Sequence, residues 1–297
     1  MKIFIQTACV LAALAAVAAD ASADVRVVTT IPDFGAIAQA VGGNHVTVTA
    51  LVKPTQDPHF VDAKPSLVVA LNRADLLLTA GMELEGGWLP PLISGARNRD
   101  IMPGAKGYLE CATLIKPMDV RAVDRAQGDI HPGGNPHFWV DPRNGLRLAA
   151  GIAKQLGEID PDHAADYNAG RDKFVAALKQ AMAGWEKALA PLKGTRVVVY
   201  HESWVYFLDW CGFVQAGALE PKPGIPPTPS HVASLIKQVS GQGVKYMVQE
   251  SFYPTQLSSL FAAKSGAALK VLPTMTGAQG TKSYIEMINI IVKELTK

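Results

Sequence analysis

Most of this chain alternates short, continuously apolar segments with segments of helical periodicity, and this alternation constrains the fold more than any other feature. Residues 26–30 and 75–81 are two of the apolar segments, and Phe34, Ile37 and Val41 follow the first at helical spacing. Strands that are apolar at every position are typical of parallel sheets covered on both faces by helices. The pattern therefore predicts an α/β protein.

One long amphipathic segment interrupts the alternation between residues 161 and 192. Tyr167, Phe174, Leu178 and Trp185 recur in steps of four or seven, as on one face of a helix. A helix of that length would extend for about 48 Å at 1.5 Å per residue, which is enough to bridge two lobes. Strand and helix patterns then resume.

These patterns predict two α/β lobes with parallel-type sheets joined by one long backbone helix. The N-terminal lobe would comprise residues 24–157, the linking helix residues 158–192 and the C-terminal lobe residues 193–297. With 297 residues, of which 48% are hydrophobic, the chain is long enough for each lobe to bury a core.

Residues 1–23 have the features of a secretory signal peptide. Lys2 precedes an apolar run over residues 8–19, and Ala21-Ser22-Ala23 matches an A-x-A cleavage pattern. The run is shorter than the ~20 residues that a membrane-spanning helix needs. Cys9 lies too close to the start of the apolar run for a lipid attachment site. We therefore expect cleavage after Ala23 and a free periplasmic protein.

The net charge indicates which binding partners to expect, and the two cysteines outside the signal peptide indicate whether to expect a disulfide. Twenty-eight basic and 26 acidic residues give a formal net charge of +2, which is too near neutrality for a nucleic-acid or anionic-membrane footprint. We expect neither partner. Cys111 and Cys211 fall in different predicted lobes without CxxC spacing, so they give little support for a disulfide, although export would permit one.

Two Pro-His-Phe triplets stand in separate segments of the first predicted lobe, at His59 and His137. Proline fixes φ, so each imidazole is held on a stiffened loop. Neutral imidazole is the commonest nitrogen ligand of protein-bound metals, and its ring must be aimed at the ion. A lone histidine usually has a structural or solvated role, but this repeated placement favours metal ligation.

His201 and Glu250 extend the candidate metal site to the second predicted lobe. They follow the predicted strands 196–200 and 245–249, just as His59 follows a strand in the first lobe. Ligands of open α/β sheets bind beyond the carboxyl ends of the strands, so the cleft between the lobes would hold the ion. Three imidazoles and a carboxylate suit Zn²⁺ in a tetrahedral shell, with Mn²⁺ as the alternative.

Two nearby polar residues have other expected roles. His131 lies in a stretch rich in glycine, proline and charge, so we expect a surface-loop position, with an accessory or metal-capturing role as the alternative. Glu202 is adjacent to His201, and adjacent side chains diverge. We expect Glu202 to support the site or a sheet edge rather than to bind the ion.

Five stretches together resemble the substrate-binding proteins of zinc and manganese ABC importers. They are Asp57-Pro58-His59, the stretch from Pro65 through Gly81 to Glu85, the stretch 135–142 (Asn-Pro-His-Phe-Trp-Val-Asp-Pro), the strand that ends at His201, and Glu250 ahead of a helix start. The resemblance covers nearly all of the mature chain. It implies two lobes on a rigid helix, one metal ion in the cleft between them, and delivery of that ion to a membrane permease. The histidine at position 201 resembles the zinc branch of the family.

The segment after the last predicted strand departs from this family. Its members usually carry an aspartate ligand there, whereas residues 270–277 (Lys-Val-Leu-Pro-Thr-Met-Thr-Gly) contain no carboxylate. Glu250, a water molecule or the thioether of Met275 could complete the shell, and Met275 would shift the preference towards copper.

We therefore predict a monomeric periplasmic receptor that binds a divalent metal, zinc before manganese, and delivers it to an ABC permease without acting as an enzyme. Protonation of the histidines should weaken binding below about pH 6. One alternative is a secreted zinc hydrolase with Glu250 or Glu202 as general base. Another is an adhesin-like surface protein with a structural metal.

Overall fold

The computed structural model describes residues 24–121 and 131–297, so the predicted signal peptide, with Cys9 and the cleavage site after Ala23, lies outside the described residues. The strands form two four-stranded sheets, in the orders β2-β1-β3-β4 and β6-β5-β7-β8. All neighbouring strands run parallel. The strands are β1 (Val25–Thr29), β2 (Val46–Ala50), β3 (Leu76–Thr79), β4 (Tyr108–Glu110), β5 (Arg196–Val199), β6 (Val214–Ala218), β7 (Val244–Glu250) and β8 (Ala268–Leu272). The predicted fold class is confirmed.

Helices surround the sheets, and several of them begin with proline. Pro65, Pro142 and Pro229 occupy the first turn of their helices, where a missing N–H costs no hydrogen bond. The α-helices are α1 (Pro32–Gly42), α2 (Pro65–Arg73), α3 (Leu89–Ala96), α4 (Pro142–Ile159), α5 (Ala164–Leu189), α6 (Val205–Cys211), α7 (Pro229–Gln238), α8 (Gln256–Ser265) and α9 (Tyr284–Leu295). We call the first sheet with α1–α4 the N-terminal lobe and the second sheet with α6–α9 the C-terminal lobe.

Helix α5 is the long helix that the sequence predicts. Its 26 residues would measure about 39 Å, because the first and last predicted turns are separate 3-10 turns at Pro161–His163 and Ala190–Leu192. Helix α5 packs against α1 and α4 of the N-terminal lobe and against α9 of the C-terminal lobe. Gly170 permits the contact with α1, since a Cβ at this position would lie 2.1 Å from the carbonyl oxygen of Val41.

A continuous apolar core connects the two lobes. It includes Phe34 and Leu78 from the N-terminal lobe together with Val199 and Leu272 from the C-terminal sheet. A second, smaller cluster lies under α7 and α8. The predicted domain boundaries at residues 157 and 192 stay a prediction, and the shared core indicates that the lobes are not independent packing units.

Two elements of the fold had no clear signal in the sequence. Strand β6 consists of Val-Gln-Ala-Gly-Ala, in which Val214 is the one β-branched residue and no residue is aromatic, so little in it favours a strand. Helix α3 begins with Leu89-Pro90-Pro91.

Cys111 and Cys211 are buried free thiols. Within residues 24–121 and 131–297, no helix combines the length and apolarity needed to cross a membrane.

Candidate metal centre

Three histidines converge where the two lobes meet. His59 lies between β2 and α2, His137 precedes α4, and His201 follows β5. They are 9%, 3% and 5% exposed, so the polypeptide encloses all three rings. One nitrogen from each ring lies within 4.8 Å of one nitrogen from each of the others. The structure therefore brings the three sequence-predicted imidazoles together from both lobes.

The spacing of the three rings fits one small ion. The ring centroid of His59 lies 5.0 Å from that of His137 and 5.1 Å from that of His201, and the centroids of His137 and His201 are also 5.1 Å apart. The Nε2 atoms of His137 and His201 are 3.2 Å apart. Two nitrogens bound at 2.0–2.1 Å to a tetrahedral zinc ion would lie about 3.3 Å apart. The triad can therefore coordinate a single ion with little movement.

Asp57 aims the ring of His59. Its Oδ1 atom lies 2.7 Å from Nδ1 of His59 and accepts a hydrogen bond from the backbone N–H of His59 at 3.0 Å. Burial alone would raise the pKa of Asp57, but the hydrogen bonds from His59 outweigh burial and hold this pKa below its usual value. An ionised carboxylate only accepts, so Nδ1 carries the proton and Nε2 keeps the lone pair that a metal ion would need.

Glu220 aims the ring of His201 in the same way. Its Oε2 atom lies 2.8 Å from Nδ1 of His201 and also accepts a hydrogen bond from the backbone N–H of Gly224 at 3.0 Å. Glu220 follows β6, and it is 8% exposed. A carboxylate behind a ligating histidine fixes its tautomer and raises its basicity.

Asn135 fixes the loop that carries His137. Its Oδ1 atom accepts a hydrogen bond from the backbone N–H of His137 at 3.0 Å, and its Nδ2 donates to the carbonyl oxygen of Glu202 at 2.7 Å. The Tyr206 hydroxyl donates to the Asn135 carbonyl oxygen at 2.8 Å. Glu202 and Tyr206 belong to the C-terminal lobe, so this lobe positions the loop of the N-terminal lobe that carries His137.

The electrostatic environment keeps the deepest histidine neutral. Burial, and then the charges that His59, His201 and His131 would carry, lower the pKa of His137 well below its usual value. Burial also acts to lower the pKa of His201, but the Glu220 carboxylate outweighs burial and raises it. Protons therefore compete with a metal ion at His201 more strongly than at His137.

Glu250 ends strand β7 beside the triad and lines the same cavity. It is 1% exposed, and burial raises its pKa to about 7, partly offset by His201 and by a hydrogen bond from Ser203. Ser203 Oγ donates to Oε1, whereas Oε2 has no hydrogen-bond partner among the described residues. Glu250 lies outside the group of mutually close nitrogens. Its assignment as the fourth ligand stays a prediction.

The segment after β8 presents a thioether to the cavity. Met275 is 1% exposed and lines the cavity together with the three histidines. The hydroxyl of the next residue, Thr276, donates to Asp33 in α1 at 2.8 Å, and its backbone N–H donates to the same carboxylate. A threonine that binds an N-terminal-lobe carboxylate therefore stands in the segment where the sequence lacks the expected aspartate.

His131 and Glu202 border a second opening next to the triad, which His137 and His201 also line. The His131 ring is half-buried and lies 5.6 Å from the His59 ring, so it is much closer to the site than the expected surface-loop position. The Glu202 carboxylate binds Arg121 at 3.0 Å, and the Glu202 backbone supports Asn135. Glu202 thus supports the histidine loop through its backbone.

The two orienting carboxylates differ in how far the sequence marks them. Asp57 stands two residues before His59, where a local side-chain-to-backbone turn gives a readable signal. Glu220 is 19 residues from its histidine and follows the weakly patterned β6, so no local signal marks it.

The fold and the triad define the class: a two-lobed α/β metal-binding protein. The family described as zinc-uptake complex component A, periplasmic (ZnuA), matches residues 27–297, and the chain belongs to this family. The predicted resemblance to metal-specific ABC-importer receptors is thereby confirmed, and the family implies a periplasmic location.

Two relatives and one solved structure match over most of their length. A high-affinity zinc uptake system protein ZnuA from Paracoccus denitrificans (strain Pd 1222) is 30% identical, over 93% of this chain and 93% of its own. The iron-binding protein YfeA from Yersinia pestis is 28% identical, over 94% of this chain and 87% of its own. A crystal structure of ZnuA superposes with a TM-score of 0.77 at 25% identity, covering 92% of this chain and 98% of that one.

Proposed function

We propose that this protein is a periplasmic receptor that captures Zn²⁺ with Nε2 of His59, His137 and His201 and delivers it to an ABC permease. The convergence of three buried imidazoles from two lobes carries this proposal. Each ring would need only a small shift to reach a shared ion. The carboxylates behind His59 and His201 already orient these two rings in the metal-free protein.

The donor set favours zinc over other divalent ions. The names of the relatives cover zinc and iron, so family membership alone does not choose the cargo. Three neutral imidazoles suit zinc, whereas manganese prefers more oxygen ligands. Iron and manganese remain the competitors that a selectivity measurement must include.

We further propose that Glu250 supplies the fourth ligand. Its Oε2 atom is buried in the cavity wall without a hydrogen-bond partner among the described residues. Buried carboxylate oxygens are nearly always paired, and a cation would both pair this one and favour its charged form. A rotation of the side chain or a bridging water would complete the contact.

Receptor function accounts for the site better than hydrolysis does. A hydrolytic zinc site keeps one position open to water and substrate, whereas the rings of this triad are more than nine-tenths buried. We propose that the protein binds the ion without changing it chemically and that it acts as a monomer. We further propose that an N-terminal signal peptide, cleaved after Ala23, directs its export and that its docking partner is the permease.

Metal titration of the chelator-treated protein tests the proposal. We expect one zinc ion per chain, and a loss of roughly 100-fold or more in affinity for His59→Ala, His137→Ala or His201→Ala, because a zinc site's ~10–16 kcal/mol is shared among about four ligands. His45→Ala is the control, since His45 precedes β2 at the other end of the sheet. Wild-type-like affinity in the triad variants would refute the site, and zinc-dependent turnover of ester, peptide or phosphate substrates would favour the hydrolase.

A further inference from the structure

We propose that the Tyr253 hydroxyl is a positioning group that makes the aim of His59 depend on contact between the lobes. This inference rests on the proposed function, because it concerns how the bound ion is held and released. Tyr253 follows β7 in the C-terminal lobe, whereas Asp57 and His59 follow β2 in the N-terminal lobe.

A continuous hydrogen-bonded chain joins these residues. The Tyr253 hydroxyl donates to Oδ2 of Asp57 at 3.1 Å. The other oxygen of Asp57 holds Nδ1 of His59 at 2.7 Å and the backbone N–H of His59 at 3.0 Å. One oxygen of the Asp57 carboxylate therefore accepts a hydrogen bond from the C-terminal lobe, and the other oxygen orients His59.

Tyr253 is itself fixed to the strands that carry the other ligands. Its ring stacks on Tyr200, with centroids 4.2 Å apart and an interplanar angle of 14°, and Tyr200 directly precedes His201. The Tyr253 carbonyl accepts a hydrogen bond from the side-chain amide of Gln249 at 3.0 Å, and its N–H donates to the Glu250 carbonyl. The position of the Tyr253 hydroxyl against Asp57 therefore depends on the position of the C-terminal lobe.

Separation of the two lobes would remove this hydrogen bond. Asp57 would then keep its hydrogen bonds to His59 but lose its attachment to the C-terminal lobe. The Asp57–His59 pair could then shift together, and His59 would lose part of its orientation towards the ion. His201 would be unaffected, because Glu220 and Gly224 belong to its own lobe. His59 is therefore the ligand that lets go first, and lobe contact sets the residence time of the ion.

Tyr253→Phe tests the coupling, because it removes the hydroxyl and keeps the ring stack. We expect zinc affinity to fall about three- to tenfold, mainly through faster dissociation. This is less than the ~10–100-fold typical for the direct partner of a ligating histidine, because the hydroxyl acts on His59 only through Asp57. Tyr200→Phe is the matched control, since in the described part of the chain the Tyr200 hydroxyl has no hydrogen bond; it should change affinity less than twofold. In an Asp57→Asn background, Tyr253→Phe should have little further effect.

Nitrogen NMR of the metal-free protein gives a second readout that does not depend on zinc. The His59 ring should show one tautomer in the wild type, with the proton on Nδ1, and a mixture in Tyr253→Phe. Unchanged dissociation and an unchanged tautomer would overturn the coupling, as would an equal loss in the Asp57→Asn background. If the wild type binds no zinc, the proposed function fails; if it binds zinc tightly and Tyr253→Phe matches it, only the coupling fails.

Discussion

His59 and His201 are aimed by the same device in the two lobes, but the lobes build it differently. Each ring presents Nδ1 to a carboxylate, at 2.7 Å for Asp57 and 2.8 Å for Glu220. Asp57 lies two residues from its histidine on the same loop, whereas Glu220 reaches its histidine from the end of a neighbouring strand. The local device depends on a turn, and the distant one depends on the sheet.

The two carboxylates also differ in what else holds them. The Glu220 side chain is 7% exposed and accepts a further hydrogen bond from the backbone N–H of Gly224 in its own lobe. The Asp57 side chain is 21% exposed and accepts a further hydrogen bond from the Tyr253 hydroxyl of the other lobe. The C-terminal half of the site is therefore preorganised by itself, and the N-terminal half is preorganised only while the lobes touch.

Replacement of each carboxylate by its amide should produce the largest difference between the lobes. Glu220→Gln should weaken zinc binding by about 10–100-fold, and Asp57→Asn by less, because the more buried carboxylate contributes more to ligand basicity. Burial lowers the pKa of His201, and Glu220 is the main group that opposes burial, ahead of Glu250 and Asp57. Removal of the Glu220 charge should therefore lower the pKa of His201 and move the acid limit of binding to lower pH. Zinc competition titrations from pH 5 to 8 measure both effects.

The reverse order, with Asp57→Asn the more harmful change, would contradict the view that the C-terminal half is the preorganised one. Equal affinity of both amide variants and the wild type would show that neither carboxylate contributes. Thermal unfolding of the metal-free variants serves as the control, since a loss of fold would lower affinity for another reason.

The same contrast explains what the sequence could and could not predict. The strands other than β6, and helix α5, follow from periodicity within short windows, and His59 and His137 stand in Pro-His-Phe motifs that can be read locally. Glu220 depends on the pairing of β5 with β6, a strand without β-branched residues beyond Val214. Side chains that act across strands leave no spacing rule in the sequence.

The connection between the lobes was also beyond local patterns. The alternation of strands and helices predicted two lobes, yet the core is continuous between them, and Tyr253, Asn135 and Asp33 each make hydrogen bonds across the interface. Such contacts depend on how the two sheets are placed relative to each other, and that placement is a property of the whole fold.

Glu250 and Met275 belong to the C-terminal lobe and line the cavity of the triad, so either side chain could supply the fourth ligand. Glu250→Gln should lower zinc affinity about tenfold, because an uncharged amide oxygen is a weaker metal ligand than a carboxylate oxygen. Met275→Leu should change it less than threefold, since leucine keeps the apolar volume. Metal-loaded spectra with Co²⁺ in place of zinc would report the donor set directly.

A larger effect of Met275→Leu than of Glu250→Gln would assign the fourth position to the thioether and indicate a softer cargo such as copper. No effect from either change would leave a water molecule as the fourth ligand. Ser203→Ala is a useful companion, because it removes the hydroxyl that holds Glu250 Oε1 while keeping both candidate donors.

Arg121 and Glu202 form an ion pair between the lobes at the solvent side of the triad, and it should give the smallest effect. Their charged atoms lie 3.0 Å apart, and their side chains are 39% and 22% exposed, so the pair is partly screened. Arg121 also binds Asp119 at 2.7 Å, which keeps the guanidinium beside the opening that His137 and His201 line. Glu202→Gln should raise both association and dissociation rates of zinc about two- to fivefold and change the affinity less than threefold. Arg26→Ala, which breaks the exposed pair with Asp75 on the first sheet, is the control and should leave both rates unchanged. The faster rates are expected because the ion pair restrains the two lobes. Stopped-flow exchange at low and high salt measures both rates. Slower exchange of zinc in Glu202→Gln would contradict this role and show that the ion pair guides the ion to the site.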